Sequence, residues 1–354
     1  GTNITTTGTV TLSAGTASVV YISTQAAGAA NRQAFTTQPV IQLRDSGGNN
    51  VSAQKVITMT ISAGGNTLNS SVTTNASGVG TFTSAAIYGP VGNYTLTFSG
   101  SNLTSAVQNI SLAHGPTNKI SITNTPSTSV TGAVFTSQPV VTIQDQDGNT
   151  IDDGTDSTQL VTLSSSDATI GGTYSMYAVA GVADFSGKGV KLSGTVGARN
   201  LTATISSPST KTTTVQVTLE VGTPTQIAIT QQPVGFVNRV AFTTQPQISF
   251  QDSSGNTVSS VTDTVTVSVN TGGTIGTLTA TAVNGVATFA GLKASGTPGV
   301  DYTLTFGSGS LTTATSNAYR LTKVADVTLA YAQTAYSLDL EVMPTMTSDS
   351  PVKN

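Results

Sequence analysis

One phrase, Phe-Thr-(Thr/Ser)-Gln-Pro, occurs at 35–39, 135–139 and 242–246, and each copy is followed by the same signals in the same order. Six residues after each proline an aspartate opens a glycine turn: Asp-Ser-Gly-Gly-Asn-Asn at 45–50, Asp-Gln-Asp-Gly-Asn-Thr at 145–150 and Asp-Ser-Ser-Gly-Asn-Thr at 252–257. A small-residue turn running into a strand comes next, at 78–82, 181–185 and 285–289. It is followed by Asn-Tyr-Thr-Leu-Thr-Phe at 93–98, Asn-Leu-Thr-Ala-Thr-Ile at 200–205 and Asp-Tyr-Thr-Leu-Thr-Phe at 301–306. The anchor prolines Pro39, Pro139 and Pro246 are 100 and 107 residues apart, a whole-domain period far longer than a solenoid repeat. The chain reads as three copies of one module.

Period within each copy gives strands. In 56–61 (Val-Ile-Thr-Met-Thr-Ile) and 265–269 (Val-Thr-Val-Ser-Val), β-branched residues alternate with small polar ones, so one face enters a core and the other meets water. Similar alternation recurs at 120–122, 140–144, 226–230, 248–250 and 302–306, and no segment carries a helical stripe. With turn signals every 8–12 residues, about seven short strands per module predict an all-β fold of three tandem immunoglobulin-like β-sandwich domains with extra terminal strands. The chain has no Cys and no Trp, so neither disulfide nor tryptophan pin holds these cores, which fall to Val, Ile, Leu, Phe and Tyr.

The expected boundaries are a segment 1–16, modules at 17–114, 115–221 and 222–323, and a tail 324–354. The joins at 113–117 and 221–225 each place a glycine and then a proline where one module's last strand must stop. Such short joins predict semi-rigid stacking, and three modules in line would make a rod of more than about 100 Å.

Only 8% of the 354 residues are charged against 37% hydrophobic, so the polar surface is built from Ser, Thr, Asn and Gln, which suits close protein contact. A net charge of −3 supplies no basic field for phosphate backbones or anionic lipid, which argues against nucleic-acid and membrane-surface partners. The chain contains no apolar run near the ~20 residues that span a bilayer. It starts at Gly1 without methionine, from which a processed or engineered terminus is expected, and the long apolar helix of a type IV pilin is missing.

The succession Phe-Thr-Thr-Gln-Pro, Gln-Asp-x-x-Gly-Asn-Thr-Val, Gly-Val-Ala-Thr-Phe and Asp-Tyr-Thr-Leu-Thr resembles the bacterial immunoglobulin-like repeats of large surface proteins, of the invasin and intimin type. The resemblance covers roughly 17–323, and the first copy departs most, with Gly47, Gly48 and Gly80 where the others are more regular. It implies an extracellular prokaryotic setting, a stalk, adhesive or lattice role, and no catalytic residues.

Two stretches lie outside the repeats. Residues 3–12 read as a strand without a partner, and 324–331 with 336–342 supply two more. Unpaired strand edges seek pairing, and head-to-tail addition between copies does not close on itself. The expected assembly residues are Ile4, Val10, Leu12, Val327, Leu329, Tyr331, Leu338, Leu340 and Val342; the competing expectation is that these ends fold back on their own chain.

Candidate chemistry is sparse. His114 is the sole histidine and sits at a join, no Gly-x-Ser-x-Gly elbow occurs, and Glu220 and Glu341 are the only glutamates, so neither a hydrolase triad nor a glycosidase carboxylate pair is expected. Asp145, Asp147, Asp152, Asp153 and Asp156 form the densest acidic group and are the one candidate for Ca²⁺. The glycine of Asp-Gln-Asp-Gly comes too early for an EF-hand, and the other modules lack the extra carboxylates. The repeated Asp45, Asp145 and Asp252 are expected to cap their turns. Sequons stand at Asn3, Asn50, Asn69, Asn75, Asn93, Asn102, Asn109 and Asn200, crowded in the first module. No lysine recurs where a Lys–Asn isopeptide bond would need it.

The expected protein is therefore an extracellular, non-enzymatic structural subunit whose partners are copies of itself, in a surface filament or layer. The alternatives are an adhesin or stalk fragment binding a cell envelope or glycan through loops such as 164–172 or 272–277, and a fibre or decoration protein of a virion.

Overall fold

The computed structural model describes residues 8, 11–270, 272–276 and 278–323, and these are almost entirely strand and turn, with one short 3₁₀ turn at Thr155–Thr158. The fold is all-β. In the first repeat, Val19–Thr24, Val40–Arg44 and Val79–Thr81 make a three-stranded sheet. Ala29–Ala30, Ala106–Ala113, Gly92–Ser99, Val56–Ile61 and Ser71–Thr73 make a five-stranded one. The same pair recurs in the second repeat: Lys119–Asn124, Val140–Gln144 and Val182–Asp184 against Thr128–Val130, Lys211–Glu220, Gly197–Ile205, Leu160–Ser164 and Ser175–Tyr177. In the third repeat the hairpin Thr279–Val283/Val286–Thr288 pairs into both halves, so the two sheets run together as one of seven strands. Even an irregularity is repeated: the first strand slips register between Ile22 and Thr24, Ile122 and Asn124, and Ile229 and Gln231.

Alternation places the cores. Along Val56–Ile61, Ile57 and Met59 are fully buried while Val56, Thr58 and Thr60 face out. Phe82 and Phe98 meet edge to face at 5.6 Å in the first repeat, and Phe289 and Phe306 do so at 5.5 Å in the third. Such a pair adds about 0.5–1.5 kcal/mol beyond the area it buries.

The recurring phrase has a hydrogen-bonding reason. The Gln138 amide accepts the Val190 N–H at 2.9 Å and donates to the carbonyls of Phe135 and Val190 at 2.8 and 3.1 Å. Gln38 makes the same three bonds with Phe35 and Ala85, and Gln245 makes them with Phe242 and Leu292. The proline carbonyl that follows accepts the N–H of Phe82, Phe185 or Phe289. One glutamine thus ties an irregular loop to a neighbouring segment by saturating backbone groups that no ladder reaches.

The glycines at 78, 181 and 285 are equally forced. Each has φ of +75°, each carbonyl accepts an N–H from the second strand (Leu43, Ile143 or Phe250), and an added Cβ would meet a backbone oxygen at 1.9, 2.3 or 2.4 Å.

The chain divides into two compact units. Of the described residues, one holds those up to Ser127 with Val134–Lys191 and Arg199–Val217, and the other holds Thr128–Ala133, Leu192–Ala198 and 218–323. The tip of the second repeat belongs to the latter because its residues are hydrogen-bonded to the third repeat's aspartate turn.

Candidate functional site: the repeat joints

Each aspartate turn is built around its own carboxylate. Asp145 Oδ1 accepts the N–H groups of Asp147 and Asn149 at 2.9 and 3.0 Å, and Oδ2 accepts the Gly115 N–H at 2.9 Å. Asp252 does the same with Ser254, Asn256 and Gly222, and Asp45 with Gly47, Asn49 and Gly15. The carboxylate therefore caps its turn, as expected, and also grips the glycine that enters its repeat. The Gly15 N–H, then the Asn49 amide, hold Asp45 down to about 2. Burial pushes Asp145 and Asp252 up, but the surrounding donors outweigh it and both end below the ordinary carboxylate range.

The asparagine closing each turn completes the joint. Asn149 Nδ2 donates to the Gly89 carbonyl at 3.0 Å while its Oδ1 accepts the Val91 N–H at 2.9 Å, bracketing a loop of the preceding repeat. Asn256 brackets Gly194 and Val196 in the same way, at 2.9 and 3.1 Å. The preceding repeat answers with its own side chain. Asn31 accepts the Gly89 N–H and donates to Asp145 and Asp147 at 2.8 and 2.6 Å, and Arg32 forks onto both oxygens of Asp147 at 2.7 Å. The Arg32 guanidinium also lies 4.1 Å above the Tyr88 ring, and its hydrogen bond leads the contacts that hold Asp147 below its ordinary range. At the second joint Thr131 stands where Asn31 does: its hydroxyl accepts the Gly194 N–H and lies 3.0 Å from the Ser254 hydroxyl.

His114 lies beside the first joint. Its Nδ1 is 2.8 Å from the Gly115 carbonyl and its Nε2 is 2.9 Å from Asp153, with Asp152 at 3.6 Å. Both ring nitrogens thus face oxygens able to accept, an arrangement that the doubly protonated imidazolium satisfies at both positions. Burial lowers its pKa, but the Gly115 and Asp153 contacts outweigh that and raise it. The five aspartates considered for Ca²⁺ are drawn to different partners: Asp145 and Asp147 to Asn31 and Arg32, Asp152 and Asp153 to His114, and Asp156 to the Thr117 hydroxyl. His114, Asp152 and Asp153 do converge closely enough to reach a single ion.

Of the sequons, Asn50, Asn69, Asn75, Asn93, Asn102 and Asn109 are exposed and Asn200 is half-buried, while Asn3 lies outside the described residues. Asn69 donates to the Ser84 carbonyl and Asn200 to Asp167. A depression of about 460 Å³ on the first repeat's larger sheet is lined by Asn93, Tyr94, Thr95, Asn109, Ile110 and Ser111. Of the expected assembly residues only Leu12 is described. It is 91% exposed, and residues 11 and 12 of the predicted N-terminal strand are in no strand. Ile4, Val10, Val327, Leu329, Tyr331, Leu338, Leu340 and Val342 lie outside the described residues.

The joint residues Asn31, Arg32, Asn149 and Asn256 were not foreseen. The signal was available: Gly-Asn closes all three turns, and Asn-Arg precedes the first and third phenylalanine phrases.

Paired sheets joined by polar tips define a class, the tandem immunoglobulin-like β-sandwich chain. No family model matches the sequence, and no curated protein matches it. Solved structures similar to it include invasin, a bacterial integrin-binding protein, at 17% identity over 86% of this chain and 60% of that one, with a TM-score of 0.30. The Escherichia coli adhesin FdeC is similar at 16% identity over 86% and 99%, TM-score 0.30, and the surface layer protein SbsC (domains 4–9) at 16% over 87% and 48%, TM-score 0.24. The chain thus spans about 60% of the length of the invasin chain it matches. Among the described residues no helix is long and apolar enough to cross a membrane.

Proposed function

We propose that this chain is an extracellular structural subunit of a cell surface, which assembles with copies of itself into a filament or layer by β-strand addition through its terminal segments. The observation that carries this reading is the pair of joints. Each spends an aspartate, an asparagine and a glycine on fixing one repeat to the next, which is what a spacing or load-bearing element requires. The edge strand Ser71–Thr73 supplies open ladder groups of the kind that accept a strand from a neighbour. The test is negative-stain microscopy of the purified chain with and without 1–14 and the segment after Lys323. The account predicts polymers from the whole chain and none from the trimmed one; a whole chain that stays monomeric and binds cells or glycans would contradict it and favour an adhesin.

A further inference from the structure

The tip of the third repeat repeats that of the first. Asn238 and Arg239 stand at the positions of Asn31 and Arg32, four and three residues before the phenylalanine of the recurring phrase. Their backbones agree: φ is +62° at Arg32 and +66° at Arg239, and their N–H groups donate to the carbonyls of Ile87 and Ala294. The side chains are poised alike, since the Gly89 and Gly296 N–H groups donate to Asn31 and Asn238 at 3.0 and 3.2 Å. At the first repeat this pair is filled by Asp145 and Asp147. At the third, Asn238 turns its amide back onto the Gly296 carbonyl at 3.1 Å, and the exposed Arg239 guanidinium has no hydrogen bond or ion pair among the described residues. Arg239 borders a cleft of about 290 Å³ that Lys293 also lines, where the first repeat has the neutral Ala86.

Tip and turn match within this chain. Asn-Arg faces Asp-x-Asp, and Thr131-Gly132 faces Asp252-Ser253-Ser254, hydroxyl to hydroxyl. We infer that the third tip is a docking surface for a β-sandwich repeat whose turn reads Asp-x-Asp-Gly-Asn, with Arg239 forking onto the second aspartate and Asn238 donating to both. This chain's own turns do not fit: 145–149 is the only Asp-x-Asp-Gly-Asn in the sequence and is taken by Asn31 and Arg32, and the first repeat's turn has Gly47 in place of Asp147. Pro298 stands where Val91 and Val196 give an N–H to the bracket asparagine, so recognition at this tip rests on the carboxylates.

The test converts the first repeat's turn into a matching one. Gly47 has no positive φ, and its N–H donates to Asp45 as that of Asp147 does to Asp145, so Gly47→Asp reproduces the second repeat's turn. Sedimentation velocity should show the weight-average mass of the Gly47→Asp chain rising over wild type at low salt, by about twofold or more because a head-to-tail contact does not close. The rise should vanish at about 0.5 M NaCl, where charge pairs are screened, and in Gly47→Asp with Arg239→Ala. Neither substitution touches the terminal segments, so polymer formed by strand addition is equal in all three chains and cancels. If Gly47→Asp fails to fold, a cyclic peptide containing Asp-Gln-Asp-Gly-Asn is titrated into the wild-type chain. The Arg239 side-chain Nε–H resonance should then shift, and should not with Asp-Ser-Gly-Gly-Asn. No rise over wild type, a rise that survives Arg239→Ala, or equal response to both peptides overturns the inference.

Discussion

Gly285 carries both reasons for a glycine, a φ of +75° and a backbone oxygen 2.4 Å from where a Cβ would sit. Gly285→Ala is expected to cost at least about 1–2 kcal/mol from conformation alone, read as a lower denaturant midpoint at unchanged slope. The opposite sign is expected at Tyr319, whose ring stacks on Phe236 at 4.3 Å while its hydroxyl is buried without a partner among the described residues. Burial, with Tyr302 adding to it, pushes this phenol up to about 12. Tyr319→Phe removes an unpaired polar group and should leave stability unchanged or raise it by up to about 1 kcal/mol, in the same denaturant assay. The capping role of Asp45, Asp145 and Asp252 was legible in the sequence because a turn aspartate acts within its own five residues. The partners of Asn149 and Asn256 were not, since they lie about 60 residues away and no local pattern encodes them.

Among the strands, Val56–Ile61 falls where alternation placed it, with Ile57 and Met59 fully buried between the exposed Val56, Thr58 and Thr60, whereas in Val140–Gln144 Thr142 is buried along with Val141 and Ile143, so both faces of that strand are covered. The single strand expected over 302–306 is instead two, Asp301–Tyr302 and Leu304–Gly307. The Thr303 N–H goes to the Asn270 side chain and the Leu304 N–H to the Ser316 hydroxyl, so side chains hold the ladder positions there. The aspartate turns are also elements, and they titrate. The pKa of Asp45 lies below its unfolded value. Its contribution is therefore present above about pH 4 and lost as pH falls toward about 2, and Asp145, Asp147 and Asp252 act in the same direction. His114 has the reverse sign. Its raised pKa contributes fully below about 6.5, and that share is lost as pH rises through the folded value. Thermal melts of wild type and His114→Ala should thus differ most in mildly acidic buffer and converge at alkaline pH. A double-mutant cycle on Arg32→Ala and Asp147→Ala should give a favourable coupling that is diminished by salt.

At the scale of the whole molecule, the three-fold repetition was fully visible in the recurring phrase, and so was the all-β class. The sequence did not reveal that compactness follows the joints, grouping the second repeat's tip with the third repeat. The carbonyls and N–H groups that the joint asparagines bracket are backbone groups, which every residue owns and no motif advertises. The central claim is that one asparagine per joint holds the preceding repeat. It is tested most directly by amide hydrogen exchange at Val91 and Val196 in Asn149→Ala and Asn256→Ala chains. The account predicts that Asn149→Ala strips protection from Val91 and leaves Val196 unchanged, that Asn256→Ala does the converse, and that both chains remain folded. Unaltered protection at both amides in both variants would contradict it.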